Sequence, residues 1–182
     1  MSVRAVLFDW EGTLVREDSV FLTSPAAAVA RYARRKLGFE LPADTFDEAL
    51  EAVIPGPEGP SPRIDHLLSG AFAMLGRELT GDELAACCRV FFDTATHRYH
   101  PYEDAHDLLH ELRRRGVRTG VITNSIFPAS AFPTLLQDLE VRHLLDLFLT
   151  SADTGIGLPD PKPFEVALAA LGIPACEAAF IS

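Results

Sequence analysis

Four short apolar runs restrict the fold more than any other feature of this chain. Val3–Phe8 is apolar apart from Arg4, ends at Asp9 and is followed closely by Gly12. Val117–Thr123 finishes in Asn124 and Ser125, Leu147–Thr150 is followed by Ser151, and Ala178–Ser182 closes the sequence. Runs that are apolar at successive rather than alternate positions suit strands covered on both faces. A helical pattern precedes each of the last three: Glu103–Arg115 ending at Gly116, a stretch broken by Pro128 and Pro133 up to about His143, and Pro163–Leu171 stopped by Gly172. Strands alternating with helices of this length predict right-handed crossovers and an α/β fold with a Rossmann-like parallel sheet. In such sheets chemistry collects beyond the carboxyl ends of the strands. Asp9, Thr123 and Ser151 are therefore expected along one rim.

Residues 25–98 have a different texture and read as helices inserted into this pattern. Ala26–Leu37 is alanine-rich and stops at Gly38, a C-cap residue. Asp44–Val53, Arg63–Arg77 and Asp82–Arg98 follow, and Thr80 with Glu83 three residues on predicts a capping box. Pro55–Pro62 cannot continue a helix and predicts a loop or hinge. Phe72, Met74, Phe91 and Phe92 recur at helical spacing and are expected in the core of the insertion. The predicted domains are an α/β core, residues 1–16 and 100–182, and a helical domain, residues 17–99.

Composition excludes several classes. With 48% hydrophobic and 23% charged residues, the chain is neither disordered nor fibrous. A net charge of -10 argues against nucleic acid as partner, since such proteins carry a basic face. No apolar run is long enough to span a bilayer and the N-terminus lacks a leader pattern. Cys87, Cys88 and Cys176 make no disulfide framework or metal clamp and are expected as buried thiols. Together these predict a cytoplasmic protein without membrane or nucleic-acid partners, its oligomeric state left open.

A carboxylate at the end of a buried strand, facing a turn kept tight by Gly12, can attack an electrophile from a fixed position. Glu11 lies two residues on, so the turn can direct both carboxylates at one point, one as nucleophile and one as general acid/base. A solvated turn acid is the competing reading of Asp9 by itself. His106 and His110 are spaced i, i+4 but lack a third ligand, and a solvated helix face accounts for them better. Arg113–Arg115 suits a helix C-terminus. Trp10 fits either a cleft wall or core packing.

Three segments in order carry a resemblance. Val6-Leu-Phe-Asp9-Trp-Glu11-Gly-Thr-Leu resembles the first motif of the haloacid dehalogenase superfamily, an apolar strand followed by Asp-x-Asp-Gly-Thr. Val121-Ile-Thr123-Asn-Ser125 resembles the second, an apolar strand ending in Ser or Thr. The stretch from Ser151 to Phe164, with Pro159-Asp-Pro161, resembles the third. The inserted helices are similar to the helical C1-type cap of the superfamily's subfamily I.

The resemblance implies a small phosphorylated metabolite as substrate and an aspartyl-phosphate intermediate. Asp9 would be the nucleophile, Glu11 the acid/base, Thr123 a donor to a phosphoryl oxygen, and a lysine the counter-charge. Trp10, Gly12, Thr13, Asn124 and Ser125 would line the substrate site. Mg2+ would be bound by Asp9, the backbone carbonyl of Glu11 and an acid of a fourth motif. Glu11 stands where the motif has Asp, and Leu158 stands where it has Lys, leaving Lys162 as the nearest substitute. The acidic fourth motif would follow Ser182, which predicts that this sequence is part of a longer one. Two alternatives follow from these departures: a binding or scaffold protein that keeps the fold with impaired catalysis, and a 2-haloacid dehalogenase, which needs neither the second acid nor the metal.

Overall fold

The computed structural model describes residues 2–17, 23–56 and 62–182; of the expected Pro55–Pro62 loop, residues 57–61 lie outside the described part. In chain order, β1 (Ala5–Phe8) and β2 (Val15–Glu17) precede four helices, α1 (Pro25–Tyr32), α2 (Ala43–Val53), α3 (Ile64–Met74) and α4 (Gly81–Thr96). Then come β3 (Tyr99–Pro101), α5 (Ala105–Arg114), β4 (Arg118–Thr123), α6 (Pro133–Asp138), β5 (Leu147–Thr150), α7 (Ser151–Thr154), α8 (Lys162–Leu171) and β6 (Ala178–Ile181). The chain divides into two compact units, Met1–Asp18 with Arg98–Ser182, and Ser19–His97.

The first unit is built on a parallel sheet in the order β5-β4-β1-β6. The α/β fold with a parallel sheet is the one the apolar runs predict. Successive side chains leave a strand on opposite faces. Leu7 and Ile122 therefore share one face, where they pack with Ala167 of α8. Val6, Phe8 and Val121 occupy the other face and are buried as well. Burial on both faces explains why the strands read as continuous apolar runs. Gly120 sits opposite Leu7, where an added Cβ would lie 3.0 Å from a Leu7 methyl, so close packing across the sheet uses its missing side chain. Gly172 ends α8 in the left-handed conformation, as its position predicts.

The antiparallel pair β2–β3 was not expected. Each strand has three residues, Val-Arg-Glu and Tyr-His-Pro, too short and too polar to show alternation. Buried Arg98 donates to Glu17 beside this pair. A charge desolvated in this way has to be matched, because an unmatched one costs several kcal/mol.

In the helical unit, α1 packs on α2 and α4, and α3 packs on α2 and α4. Its centre is aromatic: Phe46 and Phe72 are buried, with ring centroids 4.9 Å apart, and Phe39 lies 6.1 Å from Phe72. Ser24 caps α1, and Thr80 and Glu83 form the predicted capping box on α4. The Ala26–Leu37 stretch is less uniform than its composition suggests: α1 ends at Tyr32 and a π-helical turn, Ala33–Leu37, carries on to left-handed Gly38. Met74 is a correction to the expected core, since 59% of it is exposed at the end of α3.

The cysteines divide likewise. Cys87 is buried and Cys88 partly so, but Cys176 is exposed, contrary to the expectation of three buried thiols. Burial pushes the Cys87 thiol up to about 12 and the Cys88 thiol up to about 11. Thiolate is the reactive form and is scarce at both near neutral pH. An aryl disulfide reagent is accordingly expected to label Cys176 rapidly and the other two only after unfolding. Rapid labelling of Cys87 in the native protein would contradict this packing.

Candidate active site

Asp9 follows β1 directly, and its own N–H continues the sheet by donating to the Ile181 carbonyl at 2.9 Å. Its side chain is half-buried, and Oδ1 accepts the Trp10 N–H at 2.7 Å. Among the described residues Oδ2 takes no hydrogen bond, which leaves one carboxylate oxygen available. The chain then turns sharply, as the Trp10 carbonyl accepts from Leu14 at 3.0 Å and Val15 at 3.1 Å while Gly12 N–H reaches the Val15 carbonyl at 2.8 Å. Gly12 adopts φ 78°, a conformation that glycine reaches without the steric cost of a side chain. Glu11, Gly12 and Thr13 are at or near the surface of this turn.

Trp10 points the other way. It is 1% exposed and packs edge-on against Tyr99 and Phe148, with centroids 6.4 and 5.3 Å away. Of the two roles open to it, core packing is the one its ring takes, and what it offers to the rim is its backbone N–H.

Thr123 ends β4, next to β1 in the sheet, with Phe8 in register with Val121. It is buried, and it stands beside Thr150, the last residue of β5. No hydrogen bond joins Asp9 to Thr123 among the described residues. They share the rim because their strands are neighbours with parallel ends. Asn124 and Ser125 reach across to other rim loops. The Ser151 hydroxyl accepts the Ser125 N–H at 3.0 Å and donates to the Ser125 carbonyl at 3.1 Å. Asp153 accepts from the Thr150 N–H and hydroxyl and from the Ala129 N–H, tying a third loop to the same rim.

The Asn124 amide clasps Leu158, donating to its carbonyl at 3.1 Å and accepting its N–H at 2.7 Å. The Leu158 side chain packs onto the Leu7–Ile122–Ala167 cluster, so the position at which the resemblance expects a lysine is used here for core packing. Lys162 begins α8, is exposed, and lies 3.5 Å from Glu165. Gly157 is what lets the clasp close, since a Cβ there would sit 2.4 Å from Asn124 Oδ1. Gly157→Ala is expected to lower stability by about 1 to 3 kcal/mol in thermal unfolding. Adding Asn124→Ala should relieve the clash, so that the two losses are not additive.

Tyr99 is the residue that sequence reasoning missed. Its hydroxyl donates to Glu11 Oε1 across 88 residues of sequence. Burial first, and then the hydrogen bond and charge of Glu11, push the Tyr99 phenol well above its ordinary range, so it remains a donor. Nothing local marks this tyrosine; only the unforeseen β2–β3 pairing brings it back beside the first turn.

The family model described as haloacid dehalogenase-like hydrolase matches residues 3–182. This chain belongs to that family. The haloacid dehalogenase-like assignment is supported by a phosphatase of Mycobacterium tuberculosis, 30% identical over 95% of this chain and 75% of its own length. A phosphoserine phosphatase of Thermus thermophilus is 38% identical over 46% of this chain and 33% of its own. The crystal structure of a 2-haloacid dehalogenase from Pseudomonas syringae matches with a TM-score of 0.67, at 21% identity over 98% of this chain and 76% of that one. Identity this low speaks to the shared haloacid dehalogenase-like fold alone.

Whether the side chains suit the metal implied by the resemblance depends on their donors. Among the described residues no three of His, Cys, Asp and Glu gather at one place. Asp9 and Glu11 supply oxygen donors, the kind Mg2+ prefers, and one or two carboxylates suffice for an ion that keeps several waters. The Asp9 carboxylate and the Glu11 backbone carbonyl thus fit a lightly held Mg2+, which leaves the Glu11 carboxylate to Tyr99. No described helix is long and apolar enough to cross a membrane.

Proposed function

We propose that this protein is a Mg2+-dependent phosphohydrolase acting on a small phosphorylated metabolite through a phosphorylated Asp9. The observation that carries the reading is a half-buried Asp9, one oxygen free of hydrogen bonds, at the end of a strand adjoining the one that ends in Thr123. Curated relatives named as phosphatases support the substrate class. Asp9 attacks phosphorus, and the ester oxygen departs with the bonding electrons and takes a proton from Glu11. Water then attacks phosphorus, Glu11 takes its proton, and the Asp9–phosphorus bond breaks to release phosphate. Thr123 donates to a phosphoryl oxygen, and the main-chain rim at Gly12, Thr13, Asn124 and Ser125 surrounds the group. Mg2+, held by the Asp9 carboxylate and the backbone carbonyl of Glu11, would supply positive charge against the phosphoryl oxygens. Lys162 is the proposed counter-charge in place of Leu158 and would have to leave Glu165. The helical unit is the proposed cap, to which substrate choice belongs.

A panel of phosphate esters assayed with Mg2+ and again with excess chelator tests this reading. Phosphate release that stops on chelation is expected. No release by the complete protein across the panel would leave the second reading, a fold retained for binding. Leu158, spent on the core rather than on charge, favours that reading. The dehalogenase alternative separates by isotope. An ester of Asp9 with a carbon substrate is hydrolysed at the Asp9 carboxyl carbon, so heavy-oxygen water would label Asp9. Hydrolysis at phosphorus leaves Asp9 unlabelled.

A further inference from the structure

The turn after β1 presents an acid whose reach exceeds that of the usual aspartate by one methylene. A longer side chain has more rotamers, and proton transfer needs the carboxyl held within hydrogen-bond reach of the leaving oxygen. Something therefore has to fix Glu11. The structure places one group on it: the Tyr99 hydroxyl, donating to Oε1. Among the described residues Glu11 Oε2 takes no hydrogen bond, so one oxygen is anchored and the other is left for chemistry.

The anchor is itself well held. Tyr99 is half-buried in β3, where it is paired with Glu17 of β2, and its ring meets the buried Trp10 ring at an interplanar angle of 79°. The Glu11 backbone is fixed from the other side by its bridge to Val15, the first residue of β2. Both ends of the hydrogen bond are thus tied to the same small antiparallel pair. A phenol donating to one oxygen of a carboxyl orients it and directs the proton onto the other oxygen.

We infer that Tyr99 is a positioning residue for the acid/base, holding Glu11 Oε1 so that Oε2 faces the leaving oxygen of the substrate. The inference rests on the phosphatase reading above. It assigns to the β2–β3 pair a role in catalysis in addition to its place in the fold. The proton delivered by Glu11 matters most when the leaving alcohol is a poor one. An alkyl phosphate needs that proton in the step that forms phosphorylated Asp9. An aryl phosphate with an acidic phenol leaves without it.

The test is kcat/KM, which reports on the steps through formation of phosphorylated Asp9, measured for an alkyl and for an activated aryl phosphate in Tyr99→Phe. The substitution removes one oxygen and keeps the ring against Trp10. The ratio of alkyl to aryl kcat/KM is expected to fall about tenfold. Equal losses on both substrates, the mark of a structural role, would overturn the inference, as would no change in the ratio. Glu11→Asp supplies a second, independent reading. Its shorter carboxyl is withdrawn from the phenol, so adding Tyr99→Phe to it should change the ratio less than twofold; a full tenfold effect in that background overturns the inference. An Asp9→Asn control separates the two levels. A rate that depends on Asp9 but not on Tyr99 refutes only the positioning role, whereas a rate independent of Asp9 refutes the phosphatase reading and the inference with it.

Discussion

Asp9→Asn is expected to lower kcat for phosphate release by roughly 10³-fold or more while leaving the fold in place. The two side chains are nearly the same size, and the amide oxygen of Asn can still accept the Trp10 N–H that Asp9 Oδ1 accepts at 2.7 Å. The sheet contacts of the position are made by its backbone, through the bond to the Ile181 carbonyl, and these are unaffected. What disappears is the negative oxygen that attacks phosphorus. Activity and thermal unfolding measured on one preparation separate the cases. A large loss of rate with stability within about 0.5 kcal/mol of the parent fits a nucleophile, whereas a parallel loss of both fits a structural acid.

The largest effect on stability is expected one residue further on. Trp10→Ala should cost about 3 to 5 kcal/mol, as truncations of a large buried aromatic side chain do. Trp10 is 1% exposed and lies between Tyr99 and Phe148, and Phe148 in turn stacks on Phe132 at 4.6 Å, so the cavity opens among rings that cannot easily close it. Trp10→Phe should cost much less. The indole Nε1 is buried without a hydrogen-bond partner among the described residues, so its removal loses area but no polar contact. Chemical denaturation of both variants checks this ordering. Equal losses would mean that the indole nitrogen, rather than ring volume, matters.

The parts of the fold that were legible in the sequence are those determined by local pattern. Val3–Phe8 and Val117–Thr123 had to be strands because an apolar run of that length, bounded by turn residues, has few other ways to bury itself. Gly38 and Gly172 mark helix ends because each adopts a left-handed conformation, and Thr80 with Glu83 makes a cap from residues three apart. The parallel order followed from the alternation of strands and helices. By contrast, Val15–Glu17 and Tyr99–Pro101 pair across the whole helical insertion, and neither shows a pattern of its own. Their partner, and not their composition, makes them strands.

The candidate site divides in the same way. The first turn was readable as Asp9, Glu11 and Gly12, and the shared rim with Thr123 followed from sheet geometry. The inward turn of Trp10, the packing of Leu158 onto Leu7 and Ile122, and the Asn124 clasp depend on contacts between distant segments. Met74 and Cys176 belong with them: both suited a core by type, and both ended exposed at the end of an element or in a turn. Side-chain character limits where a residue can be, and tertiary packing decides between the places left.

The proposed reaction runs through a covalent phosphoryl group on Asp9. Turnover stopped in acid within milliseconds, followed by digestion at low pH and mass measurement of the peptide spanning β1, tests it most directly. The covalent route predicts that a fraction of this peptide is heavier by one phosphoryl group, that fragmentation places the group on Asp9, and that it is absent from the Asp9→Asn protein. Rapid phosphate release with no phosphorylated peptide at any quench time, or with the group on another residue, would contradict it.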